Sequence, residues 1–358
     1  MKKIAILLLV ALCIGIFAGC AGDVVVIGGC TCPTGSHNTP TQPKPTNPQP
    51  SQPAVEGALK TGLAIVANTT GSENGKLADY DVTLVAVLVD DEGIIRDCII
   101  DSIGAKVEFD ATGTITSDIT AQVKTKNELG DAYNMVAYGG AVAEWYQQAD
   151  ALAQFAIGKT VEQFKSTAVD ATGKAPAGSD LASSATIYLG GYVSAVEAAV
   201  NNAQHLGAQT GDELRMAAIP SLKSSVSATA EKAGTAQLDC DVTALTVNEG
   251  GKITSCYIDS LQAKVIFGTD GVITGGLSKA VETKNQLGEK YGMVAWGGAI
   301  AEWNEQAANF AAYITGKTAA EVAGIAVDAG TKPTGADLVS SVTIAIGGFQ
   351  ALIAKALA

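Results

Sequence analysis

Two short segments carry the same side chains in the same order: Asp180-Leu181-Ala182-Ser183-Ser184-Ala185-Thr186 and Asp337-Leu338-Val339-Ser340-Ser341-Val342-Thr343. Each stands just before an apolar stretch, so each reads as the start of a helix. Asp and Ser oxygens there accept hydrogen bonds from first-turn amides, which is an ordinary N-cap. The same place also suits a phosphate, because free N–H groups and the positive end of the helix dipole converge on it. The residues alone leave both readings open. Other chemistries lack their side chains. The chain has two histidines, His37 and His205, neither beside a cysteine or carboxylate cluster, which removes the usual ligands of zinc and the usual acid/base group. Gly158-Lys159-Thr160 looks like the tail of a phosphate-binding loop, but the upstream glycine is missing and nucleotide hydrolysis is rejected.

The elements that must position these segments occur twice. Thr125-Lys126-Asn127-Glu128-Leu129-Gly130 returns as Thr283-Lys284-Asn285-Gln286-Leu287-Gly288, and Met135-Val136-Ala137-Tyr138-Gly139-Gly140 as Met293-Val294-Ala295-Trp296-Gly297-Gly298. Ala143-Glu144-Trp145 and Gly158-Lys159-Thr160 recur at the same offset, so one module of about 150 residues is duplicated. The expected organisation is a signal peptide over 1–19, a tether over 20–56, and modules over 57–207 and 208–358 joined by a short hinge. Within each module the period changes once. Asp81 to Val89, Ile94 to Asp101 and Ala105 to Phe109 alternate as strands, with tight turns at Asp90–Gly93 and Gly113. The stripes Val142, Trp145, Ala149, Leu152, Phe155 and Ile300, Trp303, Ala307, Phe310, Tyr313 are helical. Thr125-x-x-Glu128 and Thr283-x-x-Gln286 fit capping boxes. An antiparallel sheet backed by helices, in the α+β class, is predicted for each module.

At the N-terminus, Lys2-Lys3 precedes an apolar run from Ile4 to Phe17 and then Ala18-Gly19-Cys20, a secretory signal too short to span a membrane. Its end resembles the lipobox of bacterial lipoproteins, which implies diacylglyceryl transfer to Cys20 and anchoring in the lipid bilayer; Phe17 stands where Leu is usual. Seven of the ten prolines lie between Pro33 and Pro53 among Thr, Gln, Asn and Ser. Such a segment has no core to build and, extended, reaches roughly 70 Å at about 3.1 Å per residue. A net charge of −13 with no basic cluster disfavours nucleic acid as a partner. Cys30-Thr31-Cys32 reads as part of the tether. A disulfide between Cys240 and Cys256 across the turn at Asn248 to Gly251 is one expectation, although a one-residue slip of register puts the two thiols on opposite faces. Cys98 is taken as the buried counterpart of Cys256, with Tyr80 in the place of Cys240.

The Asp-x-x-Ser-Ser-Ala/Val-Thr pattern resembles the acceptor motif of the FMN-binding domain family. The similarity runs on through Thr283-Lys284, Tyr291-Gly292-Met293, Glu302-Trp303-x-Glu305-Gln306 and Gly316-Lys317-Thr318, and covers both modules. The whole is similar to the tandem-domain lipoproteins of flavin-based extracellular electron transfer in Gram-positive bacteria. Ser184 and Ser341 stand where many members have Gly, and Val342 where many have Ala. The resemblance implies two covalent FMN groups, each joined by a phosphoester to Thr186 or Thr343, with Asp180, Ser183, Ser184, Asp337, Ser340 and Ser341 around them. A threonine hydroxyl is a poor nucleophile without a base and no histidine stands near, so a separate flavin transferase is the implied partner and the chain is its substrate rather than an enzyme. The other implied partners are a membrane quinone-linked electron donor and extracellular electron acceptors. Tyr138 and Trp296, beside paired glycines, are candidates to stack on the flavin ring or are exposed turn aromatics. Trp145 and Trp303 read as core, and Lys126 and Lys284 as phosphate partners or solvated lysines. A lipid-anchored ligand-binding or adhesive protein without redox function is the competing reading.

Overall fold

The computed structural model describes residues 57–358; the expected signal peptide, Cys20, Cys30-Thr31-Cys32 and the expected proline-rich tether lie outside the described residues. Where β-branched and apolar residues alternate, the chain runs in long antiparallel strands. Leu77–Val89 (β2) and Ile95–Glu108 (β3) form one hairpin with Leu84 opposite Asp101, and Lys60–Asn68 (β1) pairs along the other side of β2. The second half repeats the arrangement with Glu213–Ser221 (β4), Gly234–Val247 (β5) and Ile253–Phe267 (β6), and adds a short Ile273–Gly275 (β7) beside β6. Two differences from expectation stand out. Asp101 and Ala105 belong to one continuous strand, and β1 and β4 were not foreseen.

The helices follow each sheet. Lys126–Leu129 (α1), Met135–Gly139 (α2), Trp145–Ala156 (α3), Val161–Ala168 (α4) and Gly190–Asn201 (α5) belong to the first half. Lys284–Leu287 (α6), Met293–Gly297 (α7), Trp303–Ile314 (α8), Ala319–Ala323 (α9), Ala336–Val339 (α10) and Gly347–Ala356 (α11) belong to the second. The described residues are thus of mixed α+β type, with antiparallel sheets of three and four strands. Both sequence-read capping boxes form, at Thr125 with Glu128 and at Thr283 with Gln286. Val142 and Ile300 leave their expected stripes and are exposed, because α3 and α8 begin only at the following tryptophans.

Each sheet buries both faces, on different partners. Along β2, Tyr80, Val82, Leu84, Ala86 and Leu88 point one way and meet Leu238, Cys240, Val242, Ala244 and Leu261 of the other sheet. The alternate residues Val85, Val87 and Val89 point the other way, onto Trp145, Leu152 and Phe164 of the helices. The second sheet does the same, with Leu245, Ile253 and Ile258 under Trp303, Phe310 and Leu352. The layers therefore run helices, sheet, sheet, helices, with a core shared by both halves. Phe109 and Phe267 close one end of that core as stacked rings 4.0 Å apart.

This packing corrects the expected hinge. The connecting segment is tied to β1 and its approach: Thr61 N–H donates to Gln204 O (2.9 Å), Leu59 N–H to Ala208 O (2.8 Å) and Thr210 N–H to Gly57 O (2.8 Å). Leu206 and Ala208 are buried in the shared core. The expected Cys240–Cys256 disulfide is corrected too. Cys240 lies opposite Leu261 and Cys256 opposite Leu245, so Cys240 points between the sheets while Cys256 points under the helices. Strand alternation puts the two thiols on opposite faces. Val82, opposite Ile103, is the counterpart of Cys240 in place of the expected Tyr80, and Cys98 is buried as foreseen.

Candidate functional site

The two Asp-to-Thr segments do not open the long helices that follow. Asp180–Ser183 makes one 3-10 turn and Ala336–Val339 (α10) one α-turn, while α5 and α11 start four residues beyond the threonines. Capping is also not where the sequence put it. Ser179 rather than Asp180 accepts the Ala182 amide (3.3 Å), and Gly335 precedes α10 without a side-chain cap. Ser183 Oγ donates to Asp180 O (2.8 Å) and Ser341 Oγ to Leu338 O (3.4 Å), so both serines serve their own turn. Asp180, Ser183, Ser184, Asp337 and Ser340 are exposed and Ser341 is half-buried. Leu181 with Ala185, and Leu338 with Val342, are buried and point the segment's apolar side inward. That alternation turns Thr186 outward to an exposed position, and Thr343 to a half-buried one.

What fixes each threonine is a glutamine. Gln148, on α3, is fully buried, and its Oε1 accepts from Thr186 N–H (2.8 Å), Ile187 N–H (3.2 Å) and Thr186 Oγ1 (3.3 Å). Its Nε2 donates to Ala143 O (2.8 Å), which settles which end of the amide faces the threonine. Gln306, on α8, repeats every bond: Thr343 N–H at 2.8 Å, Ile344 N–H at 3.2 Å, Thr343 Oγ1 at 3.2 Å and Nε2 to Ala301 O at 2.8 Å. On the exit side, Gly173 O takes the Leu189 and Gly190 amides, and Thr331 O takes that of Ile346. The sequence reading gave neither glutamine a role at the site: Gln306 entered only as part of the motif Glu302-Trp303-x-Glu305-Gln306, and Gln148 not at all. The available signal was a polar residue three places after a core tryptophan, on the apolar face of the helix, in both copies.

One turn before each glutamine on the same helix face sits a buried glutamate. Glu144 precedes α3 and accepts from the Met135 (2.8 Å) and Val136 (3.0 Å) amides, thereby holding the start of α2. Glu302 holds the start of α7 through Met293 (2.8 Å) and Val294 (3.0 Å). These short helices carry Tyr138 and Trp296, which are 88% and 90% exposed. Val142 and Ile300 add exposed apolar surface beside them. In each half the aromatic helix and the threonine segment thus hang from adjacent turns of one helix.

The remaining candidates fall into structural roles. Trp145 and Trp303 are buried, in T-shaped contact with Tyr192 and Phe349 respectively. Lys126 Nζ lies 5.0 Å from the Trp145 ring and 5.3 Å from that of Tyr133, and Lys284 sits likewise at 4.8 Å from Trp303 and 5.2 Å from Tyr291, which is cation–π geometry. Buried carboxylates seat these short helices. Asp101 accepts from the Asn127 (3.0 Å) and Ser102 (2.7 Å) amides, and Asp259 from those of Asn285 (3.1 Å) and Ser260 (2.7 Å). Burial raises the Asp101 carboxyl above its usual range and pushes that of Asp259 up to about 6. Thr160 and Thr318 cap α4 and α9, so the Gly-Lys-Thr tripeptides end as helix caps. A cleft of about 760 Å³ lined by Asp90, Asp91, Arg96, Asp97 and Asp212 touches neither threonine.

Comparison with known proteins finds no family model, no curated protein and no solved structure that matches this chain.

Proposed function

We propose that the chain is a lipid-anchored electron carrier on the outer face of the cell membrane, built from two repeated FMN-binding domains, with FMN esterified to Thr186 and Thr343. It resembles the pheromone-encoding type of tandem lipoprotein. A flavin supplies reversible one- and two-electron transfer; the chain's own residues hold, orient and expose it. The observation that carries the reading is the twin threonine: the same acceptor residue, turned outward and held by the same buried glutamine, in both halves.

The residues fit such a group on three counts. The hydroxyls stand at or near the surface, within reach of a transferase. Two of the three bonds to each glutamine come from backbone amides and persist once the hydroxyl proton is gone. Tyr138 and Trp296 offer unusually bare aromatic faces on helices hung beside the acceptor segments, and would flank a flat ring. Covalent attachment suits a surface carrier, because a dissociable flavin is lost by dilution whereas a tethered one keeps a high local concentration. The chain acts here as substrate of the transferase, then as carrier between a quinone-linked membrane donor and extracellular acceptors.

The test is production of the exported chain together with a flavin transferase, followed by denaturation and digestion. The peptides containing Thr186 and Thr343 are each expected to carry the mass of one FMN, and the intact protein to be yellow. Thr343→Ala should remove one flavin and leave the other. Unmodified threonine at both positions overturns the proposal and favours the ligand-binding or adhesive alternative.

A further inference from the structure

We infer that Gln148 and Gln306 are positioning residues for esterification: they fix the acceptor threonine through its backbone and leave its hydroxyl proton as the most loosely held donor. The inference rests on the flavin reading above. Flavin transfer from FAD forms an Oγ1–P bond as the pyrophosphate bridge breaks; AMP leaves with the bridging oxygen, and the threonine proton passes to a base of the transferase. For that displacement the hydroxyl oxygen must be held in place while its proton stays free to go.

A side-chain carbonyl oxygen has two lone pairs. In both halves it faces three donors, and the hydroxyl contacts, at 3.3 and 3.2 Å, are longer than the 2.8 Å threonine amides and level with the 3.2 Å isoleucine amides. For an O–H donor, whose usual distance is about 2.7–2.8 Å against about 2.9–3.0 Å for N–H, that is the loosest of the three. Loss of the hydroxyl proton leaves two donors for two lone pairs, so esterification removes an over-subscribed contact and breaks nothing that holds the segment. The glutamine itself cannot move, being wholly buried and anchored through Nε2 to a backbone carbonyl one turn back. A purely structural polar plug would need no such match between lone pairs and donors at the modified residue in both copies.

The two sites in one molecule make the experiment self-controlled. The full chain carrying Gln306→Met, Gln306→Asn or Gln306→Glu is mixed with purified transferase and FAD, and FMN mass at each threonine is followed with time. Met deletes the acceptor oxygen at similar volume, Asn withdraws it by one methylene while keeping the fold's polarity, and Glu restores it, with the O–H of its protonated form replacing Nε2 as donor to Ala301 O. The expected result is a rate at Thr343 lower by about 100-fold for Met and Asn, the scale of a misplacement near 1 Å. Thr186 should be unaffected in all three, and Glu should return Thr343 to within about threefold of the unaltered chain. Hydrogen exchange should quicken at Thr343 and Ile344 while the α11 amides keep their protection. An undiminished rate at Thr343 in the Asn variant, or a Glu variant as slow as Asn, overturns the positioning role while modified Thr186 leaves the flavin reading standing. No modification at either threonine of the unaltered chain overturns both.

Discussion

Removing one ring from the stacked pair at the end of the inter-sheet core separates two views of this molecule, a single cooperative body and two bodies in contact. Phe267 belongs to β6 of the second half and lies flat on Phe109 of the first, at 4.0 Å with a 2° interplanar angle, and both are fully buried. Phe267 also packs on the backbone of Gly234, where a methyl group would approach its ring to 2.3 Å, so no neighbour is poised to fill the space. Phe267→Ala should therefore sit in the upper part of the range for such truncations, roughly 4 kcal/mol. At about 2 °C per kcal/mol for a body of this size, the melting temperature falls by roughly 8 °C. The core residues on either side come from both halves, so the loss has to be felt in both. The assay is native-state hydrogen exchange on α3 and α8, whose amides lie in opposite helical layers, beside calorimetry. Equal losses in the two helices and a single transition are expected. The double change with Phe109→Ala should cost about 1 kcal/mol less than the two single changes together. Two transitions, with α3 protection untouched by Phe267→Ala, would falsify the shared-core argument.

Burial raises the folded-state pKa of Asp259 from 3.8 to about 6, so the folded protein holds that proton more tightly than the unfolded chain. Its contribution to stability is complete below about pH 4 and is lost as pH rises through 6, by up to roughly 3 kcal/mol. Asp259→Asn should remove this loss, seen as a gain over the unaltered chain in urea unfolding at pH 7 relative to pH 4; a gap constant across that window refutes it. Gly271 has φ +69°, and a Cβ there would lie 2.7 Å from Asp110 O and 2.9 Å from Gly75 Cα in the other half. Gly271→Ala should destabilise by about 2 kcal/mol through left-handed strain and that clash, and an unchanged denaturation midpoint would refute the contact.

The sequence made some of this legible for identifiable reasons. Capping boxes at Thr125 and Thr283 are local patterns that depend on nothing distant. The β2–β3 and β5–β6 hairpins announce themselves through alternation and Gly turns. β1 escaped because Gly62-Leu63-Ala64-Ile65-Val66-Ala67 is apolar throughout, and a strand covered on both faces loses its period. The same cause hid the shared core, since a second sheet and a helical layer leave the same apolar signature. The capping reading of Asp180 missed by one place, because Ser179 beside it is an equally good cap by residue type and only the backbone geometry shows which of the two takes the Ala182 amide. Gln148 was given no role by the sequence, and Gln306 only a place in a motif, because an amide on a helix is told from a surface one only by its neighbours, here core residues such as Trp145 and Leu152.

The layered arrangement sets the two threonines back to back. Each belongs to one of the outermost layers, held by α3 on one side and α8 on the other, with both sheets lying between. A macromolecule seated over one threonine would leave the opposite helical layer uncovered. Both threonine segments are thereby fastened, through their helices and sheets, to one interior that the two halves share.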